Sequence, residues 1–239
     1  MELKTLMARA KKKSLKNIFY ATDLILQTDF YWRYTMQKNG YDISDYTFRK
    51  DQIAFIHLPK TGGTSFYKLL KNHTTDTFFN LRIHRPISHL CPIGEYKYIT
   101  ILRNPVDRVW SYYQMVLRNS DGYPYKKYAA VGLEHFLKKC WAARDMSCQY
   151  YTGRVYEKAD EKMCQQAIDN LHQFHDLLFF QNFADEVARF LLKNNINASS
   201  GISHERKASY NLPTEEESAL IEAYNQFDLK LYKHFINNK

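Results

Sequence analysis

No stretch of this chain approaches the ~18 consecutive apolar residues that a membrane span needs. Met1 to Gln27 carries basic residues but no unbroken apolar segment of the kind a signal sequence uses. These two absences exclude a membrane-spanning class and predict a cytoplasmic protein. Cysteine is sparse too: Cys91, Cys140, Cys148 and Cys164 are the only four. None forms a Cys-x-x-Cys pair, and no nearby Cys/His set has zinc-ligand spacing, so a small zinc-built domain is excluded. A chain of 239 residues needs no disulfide staples, and free thiols in a reducing compartment are expected. There is no internal repeat and no low-complexity linker, which excludes solenoids and arrays. Acidic residues fall short of basic ones, 25 against 34, leaving a formal net charge of +9. A basic protein favours anionic partners, among them nucleic acid, an anionic membrane surface, an acidic glycan or a polyphosphorylated cofactor. Charge alone does not choose among these.

What is present is enough apolar residue, 45%, to bury a core. We expect one domain across residues 1–239, with a helical preamble over 1–50, a ligand-binding core over 52–118 and a helical covering part over 119–239. In the preamble, Lys11-Lys12-Lys13 reads as a solvated helix face. Gln52-Ile-Ala-Phe-Ile-His57, Tyr98-Ile-Thr-Ile-Leu102 and Asp176-Leu-Leu-Phe-Phe-Gln181 are short apolar runs and predict buried strands. The first runs into Pro59 and Gly62-Gly63, then a helical segment from Thr64 to Asn72. The second ends at Asn104-Pro105, where Pro105 opens a helix at no hydrogen-bond cost. In that helix Val106, Val109, Tyr113, Val116 and Leu117 form an apolar stripe, with Asp107, Ser111 and Arg118 on another face. The third is followed by a helix from about Ala184 to Lys193. Thr214-Glu-Glu-Glu217 reads as the capping box of a last helix burying Leu220, Tyr224, Phe227, Leu231 and Phe235. Strands alternating with helices predict an α/β fold: a P-loop-like three-layer domain with a central, mostly parallel sheet flanked by helices. Ligands of such sheets bind beyond the carboxyl ends of the strands, where both sharp turns fall.

The turn Pro59 to Ser65 has the chemistry of an anion site. Gly62 and Gly63 let backbone N–H groups approach an anion without a Cβ in the way. The helix that follows aims its first N–H groups and its positive dipole end at the same point. Thr61, Thr64 and Ser65 add hydroxyls and Lys60 adds a charge. A ligand-free strand-to-helix turn needs no such run. The turn is not a Walker A loop, in which lysine follows the last glycine; here Lys60 precedes both. No aspartate closes an apolar strand to hold Mg²⁺, which argues against an ATPase or an ordinary kinase.

Phe55-Ile-His-Leu-Pro-Lys-Thr-Gly-Gly-Thr-Ser65 resembles the 5′-phosphosulfate loop of carbohydrate sulfotransferases that use PAPS (3′-phosphoadenosine-5′-phosphosulfate). The resemblance is to the group containing the heparan-sulfate and uronyl 2-O-sulfotransferases and their bacterial relatives. Leu102-Arg-Asn-Pro-Val-Asp-Arg-Val-Trp-Ser-Tyr-Tyr113 resembles the same family's 3′-phosphate motif. The recognisable region covers about residues 52–118, with weaker similarity toward Asp228-Leu-Lys-Leu-Tyr232. The resemblance implies that Lys60 contacts the oxygen bridging phosphate and sulfate. It implies that Thr61, Gly62, Gly63, Thr64 and Ser65 bind the 5′-phosphate, and that Arg103 and Ser111 bind the 3′-phosphate. A salt bridge from Arg103 to Asp107 is the structural alternative. Arg206 and Lys207 fall where relatives close a late loop over the nucleotide.

Sulfuryl transfer to a sugar hydroxyl needs positioning, charge stabilisation and one proton removal. Histidine suits that proton transfer near neutral pH. The family places a histidine between the two motifs, commonly as Gly-His-x-Pro. Here Ile83 replaces the glycine while His84 keeps its proline, so His84 is the expected base. His89 is the reserve, and Glu95 is the acid alternative. Arg82, Arg85 and His89 are candidates for holding the acceptor, expected to be a carbohydrate and suited by its arginines to an acidic glycan. PAPS is the implied cofactor, PAP its product, with no metal required. The competing readings are a P-loop phosphotransferase using ATP and a basic nucleic-acid-binding module. The latter explains the charge but not two phosphate motifs at strand ends.

Overall fold

Ile53-Ala-Phe-Ile56 is apolar at every position and buried throughout, as a strand covered on both faces must be. It is the second strand of a four-stranded sheet in a computed structural model that describes residues 50–70, 77–79, 86–87, 93–120, 123, 125–155, 157–196 and 211–238. The chain divides into two units, residues 1–49 with 88–92 and residues 50–87 with 93–239, and every described residue belongs to the second.

The described elements run β1 (Ile53–Ile56), α1 (Gly63–Leu70), β2 (Phe78–Phe79), β3 (Lys97–Leu102), α2 (Pro105–Arg118), α3 (Lys126–Ala129), α4 (Leu133–Lys139), α5 (Met146–Thr152), α6 (Glu161–His172), β4 (Asp176–Phe179), α7 (Phe183–Lys193), α8 (Glu215–Ala223) and α9 (Gln226–Ile236). The strands pair in the order β2-β1-β3-β4, all parallel. The expected α/β class with a parallel sheet is therefore observed. The three strands read from sequence are present, and β2 is an addition too short to leave an apolar run.

Alternation along the strands builds two covered faces. Ile53 and Phe55 align with Ile99, Ile101 and Leu178 on one face, where α1 and α7 contribute Phe66, Leu70, Phe183, Val187 and Phe190. On the other face Tyr98 stacks on Phe174, and Tyr151 of α5 meets Thr100. Helices on both faces make the arrangement compatible with three layers.

Two expectations about the helices change. Asp107 and Arg118 are exposed, but Ser111 is buried at 5% exposure, so these three do not share a solvent face. The reason is that α2 packs against α3 and against α8 and α9 as well, which leaves little of it for water. The predicted last helix is two helices. It breaks at the buried Asn225, whose amide donates to Ala143 O and Ile221 O at 3.0 Å while its Oδ1 accepts from Asp145 N at 3.0 Å. Ile221, Leu231, Tyr232 and Phe235 take the deepest apolar positions, and Leu220, Tyr224 and Phe227 are only half-buried. The capping box at Thr214 and Glu217 forms as read.

Candidate functional site

Strand order places the site. From β1 the chain moves to β2 on one side, then returns to β3 on the other, so β1 and β3 flank a topological switch point. Crevices at such points, outside the carboxyl ends, are where open α/β sheets bind ligands. The crevice begins where the β1–β3 ladder ends, at the pair Ile56 and Thr100. There Thr100 Oγ1 donates to Ile56 O at 2.9 Å and shares a 3.0 Å hydrogen bond with Tyr151 Oη. This buried chain keeps the diverging strand ends satisfied.

Beyond Ile56 the turn has an alternating backbone. Lys60 has φ +70° and Gly62 has φ +90°, either side of Thr61. Alternation of this kind turns successive N–H groups to one side, the nest geometry that holds anions. The first bond of α1 runs from Phe66 N to Gly62 O at 3.1 Å, so the N–H groups of Gly63, Thr64 and Ser65 have no acceptor within the helix. The helix starts just beyond the carboxyl end of β1, which puts the positive end of its dipole at this end of the sheet.

Two close approaches dictate the glycines. A Cβ on Gly63 would lie 2.1 Å from His57 Cδ2 and Nε2, and one on Gly62 would lie 2.9 Å from Phe180 Cε2. His57 is buried and stacks on Phe55 with ring centroids 5.2 Å apart, so its ring is held in place beneath the loop. Thr61 has a distinct role. It is fully buried, and its hydroxyl donates to Leu58 O at 2.8 Å, closing the turn on itself. Its hydroxyl proton is thereby committed, and what it offers a phosphate is backbone N–H. Thr64 is exposed, while Lys60, Gly62 and Ser65 are half-buried.

The second motif meets the first. Arg103 follows β3 and donates from Nη1 to Lys60 O at 2.8 Å. The guanidinium carbon stands 4.2 Å from the centroid of the Phe180 ring. Register explains this stacking: Leu102 pairs with Phe179, so Arg103 and Phe180 are the next residues side by side. Arg103 Nε is buried with no hydrogen-bond partner among the described residues. A buried donor left in that state costs about 1–3 kcal/mol, and an incoming oxyanion removes the cost. The alternative salt bridge to Asp107 is not formed, since the guanidinium turns toward Lys60 and Phe180.

Ser111 lies roughly 9 Å along α2 from its start and is buried there. The neighbourhood also contains groups that sequence reasoning missed. Arg108 is fully buried; it donates to Ala142 O at 3.1 Å and lies 4.0 Å from Asp228 Oδ2. Asp228 in turn accepts from Ser147 N and Cys148 N at 2.9 Å, capping α5. Asp145 accepts from Phe227 N and Asp228 N at 3.0 Å, capping α9. These reciprocal caps anchor the helix that carries the second motif. Their only trace in the sequence was the family-like stretch beginning at Asp228. Phe180 left no signal beyond an aromatic pair at a strand end.

His84, His89, Arg82, Arg85, Arg206 and Lys207 lie outside the described residues. The chain resumes at Asn211, whose carbonyl accepts from Trp110 Nε1 of α2 at 2.7 Å. Glu95 is described, and its place removes it as a base. It precedes β3 and pairs with Lys50 at 2.8 Å, at the opposite end of a six-residue strand from the crevice, about 20 Å away. Among the described residues no helix is long and apolar enough to cross a membrane. No protein-family model matches the chain, and no curated protein is significantly similar to it.

Proposed function

We propose that the protein is a sulfotransferase that moves the sulfuryl group of PAPS to a hydroxyl of a carbohydrate acceptor. One observation carries the reading: the hydrogen bond from Arg103 to the Lys60 carbonyl, which joins two anion-type turns across the β1–β3 crevice. A nucleotide with phosphate at both its 3′ and 5′ ends needs two such turns. The residues leaving the three longer strands are His57, Arg103 and Phe180, none of them acidic. This favours PAPS over a magnesium nucleotide, whose metal is held by an acid at such a strand end.

In the proposed reaction the acceptor oxygen attacks sulfur in line with the departing phosphate. The new S–O bond forms as the bond from sulfur to the bridging oxygen breaks. Negative charge grows on that oxygen, where the Lys60 ammonium and the N–H groups of Gly63 to Ser65 stabilise it. The acceptor proton passes to His84, the proposed base, and Arg82, Arg85 and His89 are proposed to hold the sugar. Arg206 and Lys207 are proposed to close over the nucleotide. No metal enters the proposed chemistry.

Thermal unfolding with PAP against ATP, each with magnesium and with chelator, tests this. PAP at about 100-fold over its Kd adds about 2.7 kcal/mol of stability, and chelator leaves the gain intact. A gain with ATP that needs magnesium, and none with PAP, replaces the reading with a phosphotransferase. Stabilisation by generic duplex alone, lost steeply with salt, replaces it with a nucleic-acid module.

A further inference from the structure

Phe180 touches both halves of the candidate site and belongs to neither motif. Its ring lies under the Arg103 guanidinium at 4.2 Å and leaves Gly62 no room for a side chain, with the virtual Cβ 2.9 Å away. On the Arg103 fork, Nη1 is committed to the Lys60 carbonyl at 2.8 Å, and Nε is buried without a hydrogen-bond partner among the described residues. One face is covered by the ring and one corner is used, so the edge left for a ligand is the one formed by Nε and Nη2.

We propose that Phe180 is a positioning residue: it fixes the plane of Arg103 so that the Nε–Nη2 edge grips a phosphate oxyanion side-on. The proposal rests on the reading of the crevice as a phosphate site. Three physical arguments support it. A guanidinium on a flexible stem loses rotamer freedom when it binds, and a ring that already holds its plane removes part of that loss. An aromatic face attracts the cation and keeps water off it, which strengthens charge-assisted bonds on the remaining edge. The same ring sets the height of Gly62, so the turn and the arginine are held at a common distance. Parallel register delivers Phe180 to this place, because β4 ends one residue before it and beside Leu102.

Phe180 also packs against the core and lies 6.0 Å from the Phe183 ring, so the test must separate positioning from packing. PAP and, separately, inorganic pyrophosphate are titrated into the wild-type chain, Phe180→Leu, Phe180→Tyr, Arg103→Gln and the Phe180→Leu/Arg103→Gln double variant. Phe180→Leu is expected to weaken binding about tenfold, and Phe180→Tyr to restore it. Arg103→Gln weakens binding further, and the double variant binds no worse than Arg103→Gln alone, because the ring acts through the arginine. Should Phe180→Leu not fold, Phe180→Met, which fills similar space without a π-face, takes its place. Wild-type affinity in Phe180→Leu, or losses that add in the double variant, overturns the proposal. Pyrophosphate binding with this coupling but no PAP binding removes the sulfotransferase reading and leaves Phe180 in its role. A wild-type chain that binds neither anion removes both.

Discussion

Lys60 occupies a backbone conformation that its side chain resists. At φ +70° a residue with a Cβ costs about 1 kcal/mol or more relative to glycine. On the proposed reading, the lysine stands in this strained position for its charge rather than for the fold. Lys60→Gly is therefore expected to unfold at the same or a higher temperature than wild type while losing the proposed sulfuryl transfer. Calorimetry beside a turnover assay reads both, and a variant less stable than wild type counts against strain at this position. Gly63 carries the opposite constraint. Its missing Cβ is the space taken by the His57 ring, at 2.1 Å, and that ring is buried against Phe55. Gly63→Ala is expected to cost about 1–3 kcal/mol and to abolish the proposed PAP binding, with part of the stability recovered in Gly63→Ala/His57→Ala. Unchanged unfolding of the single variant would show that His57 has room to move. Much of the turn was legible at this scale, because two glycines, a lysine and hydroxyls in an unbroken run have few other uses. The division of labour among them was not. Thr61 and Thr64 look alike in sequence, yet one hydroxyl locks the turn and the other faces solvent. Only the path of the backbone distinguishes them.

Among elements, the least legible arrangement is the exchange of caps between α5 and α9. Asp145 bonds to the first N–H groups of α9, and Asp228 to those of α5, with the fully buried Arg108 4.0 Å from the buried Asp228. The participants lie some 80 residues apart in the chain, so no local pattern announces them. A buried arginine in a helix reads as a surface charge until its cover is known. Burial first, and then the negative charge of Asp228, push the Asp145 carboxyl up to about 7. Above its ordinary value near 3.9, the folded protein thus binds a proton that the unfolded chain releases. Stability from this group is present below about pH 4, falls as pH rises toward 7, and stays reduced above it. Asp176 works in the other direction. Burial raises it, but Arg189 and Lys193 outweigh that and hold it below its ordinary value, so its contribution is lost only in acid. The two windows are separate. Asp145→Asn keeps an acceptor for both N–H groups and tolerates the left-handed backbone at φ +40°. It is expected to be more stable than wild type at pH 8 and to show a shallower fall between pH 5 and 7. Urea unfolding across that range checks it, and parallel curves for the two proteins would assign the slope to another group.

For the whole molecule, the fold class followed from three apolar runs and the helices after them. The strand order did not, because β2 is two residues long and decides on its own where the switch point lies. Cysteine usage links the reading of composition to the packed unit. The sequence predicted free thiols, and Cys140, Cys148 and Cys164 are free and 0% exposed. Cys140 sits between α4 and the turn at Trp141, while Cys148 and Cys164 meet where α5 packs on α6. Burial pushes the Cys140 thiol up to about 11, and the bond to Cys164 together with burial raises Cys148. Thiolate is the reactive form, so Cys140 and Cys148 are protected by weak acidity as well as by cover, whereas Cys164, which the hydrogen bond with Cys148 holds below its ordinary value, is protected by cover alone. Cys140 at the end of α4 and Cys148 and Cys164 within α5 and α6 are all closed off from solvent, so an opening that frees them must part packed helices. These three thiols are therefore expected to resist a disulfide reagent in the native protein and to react in urea. In partial denaturant the three should react at one common rate that follows global unfolding. Reductant should leave the thermal midpoint unchanged. Separate rates for Cys140 and for the Cys148–Cys164 pair would show instead that the helices around β4 open apart from those around α4, and that the unit does not unfold as one.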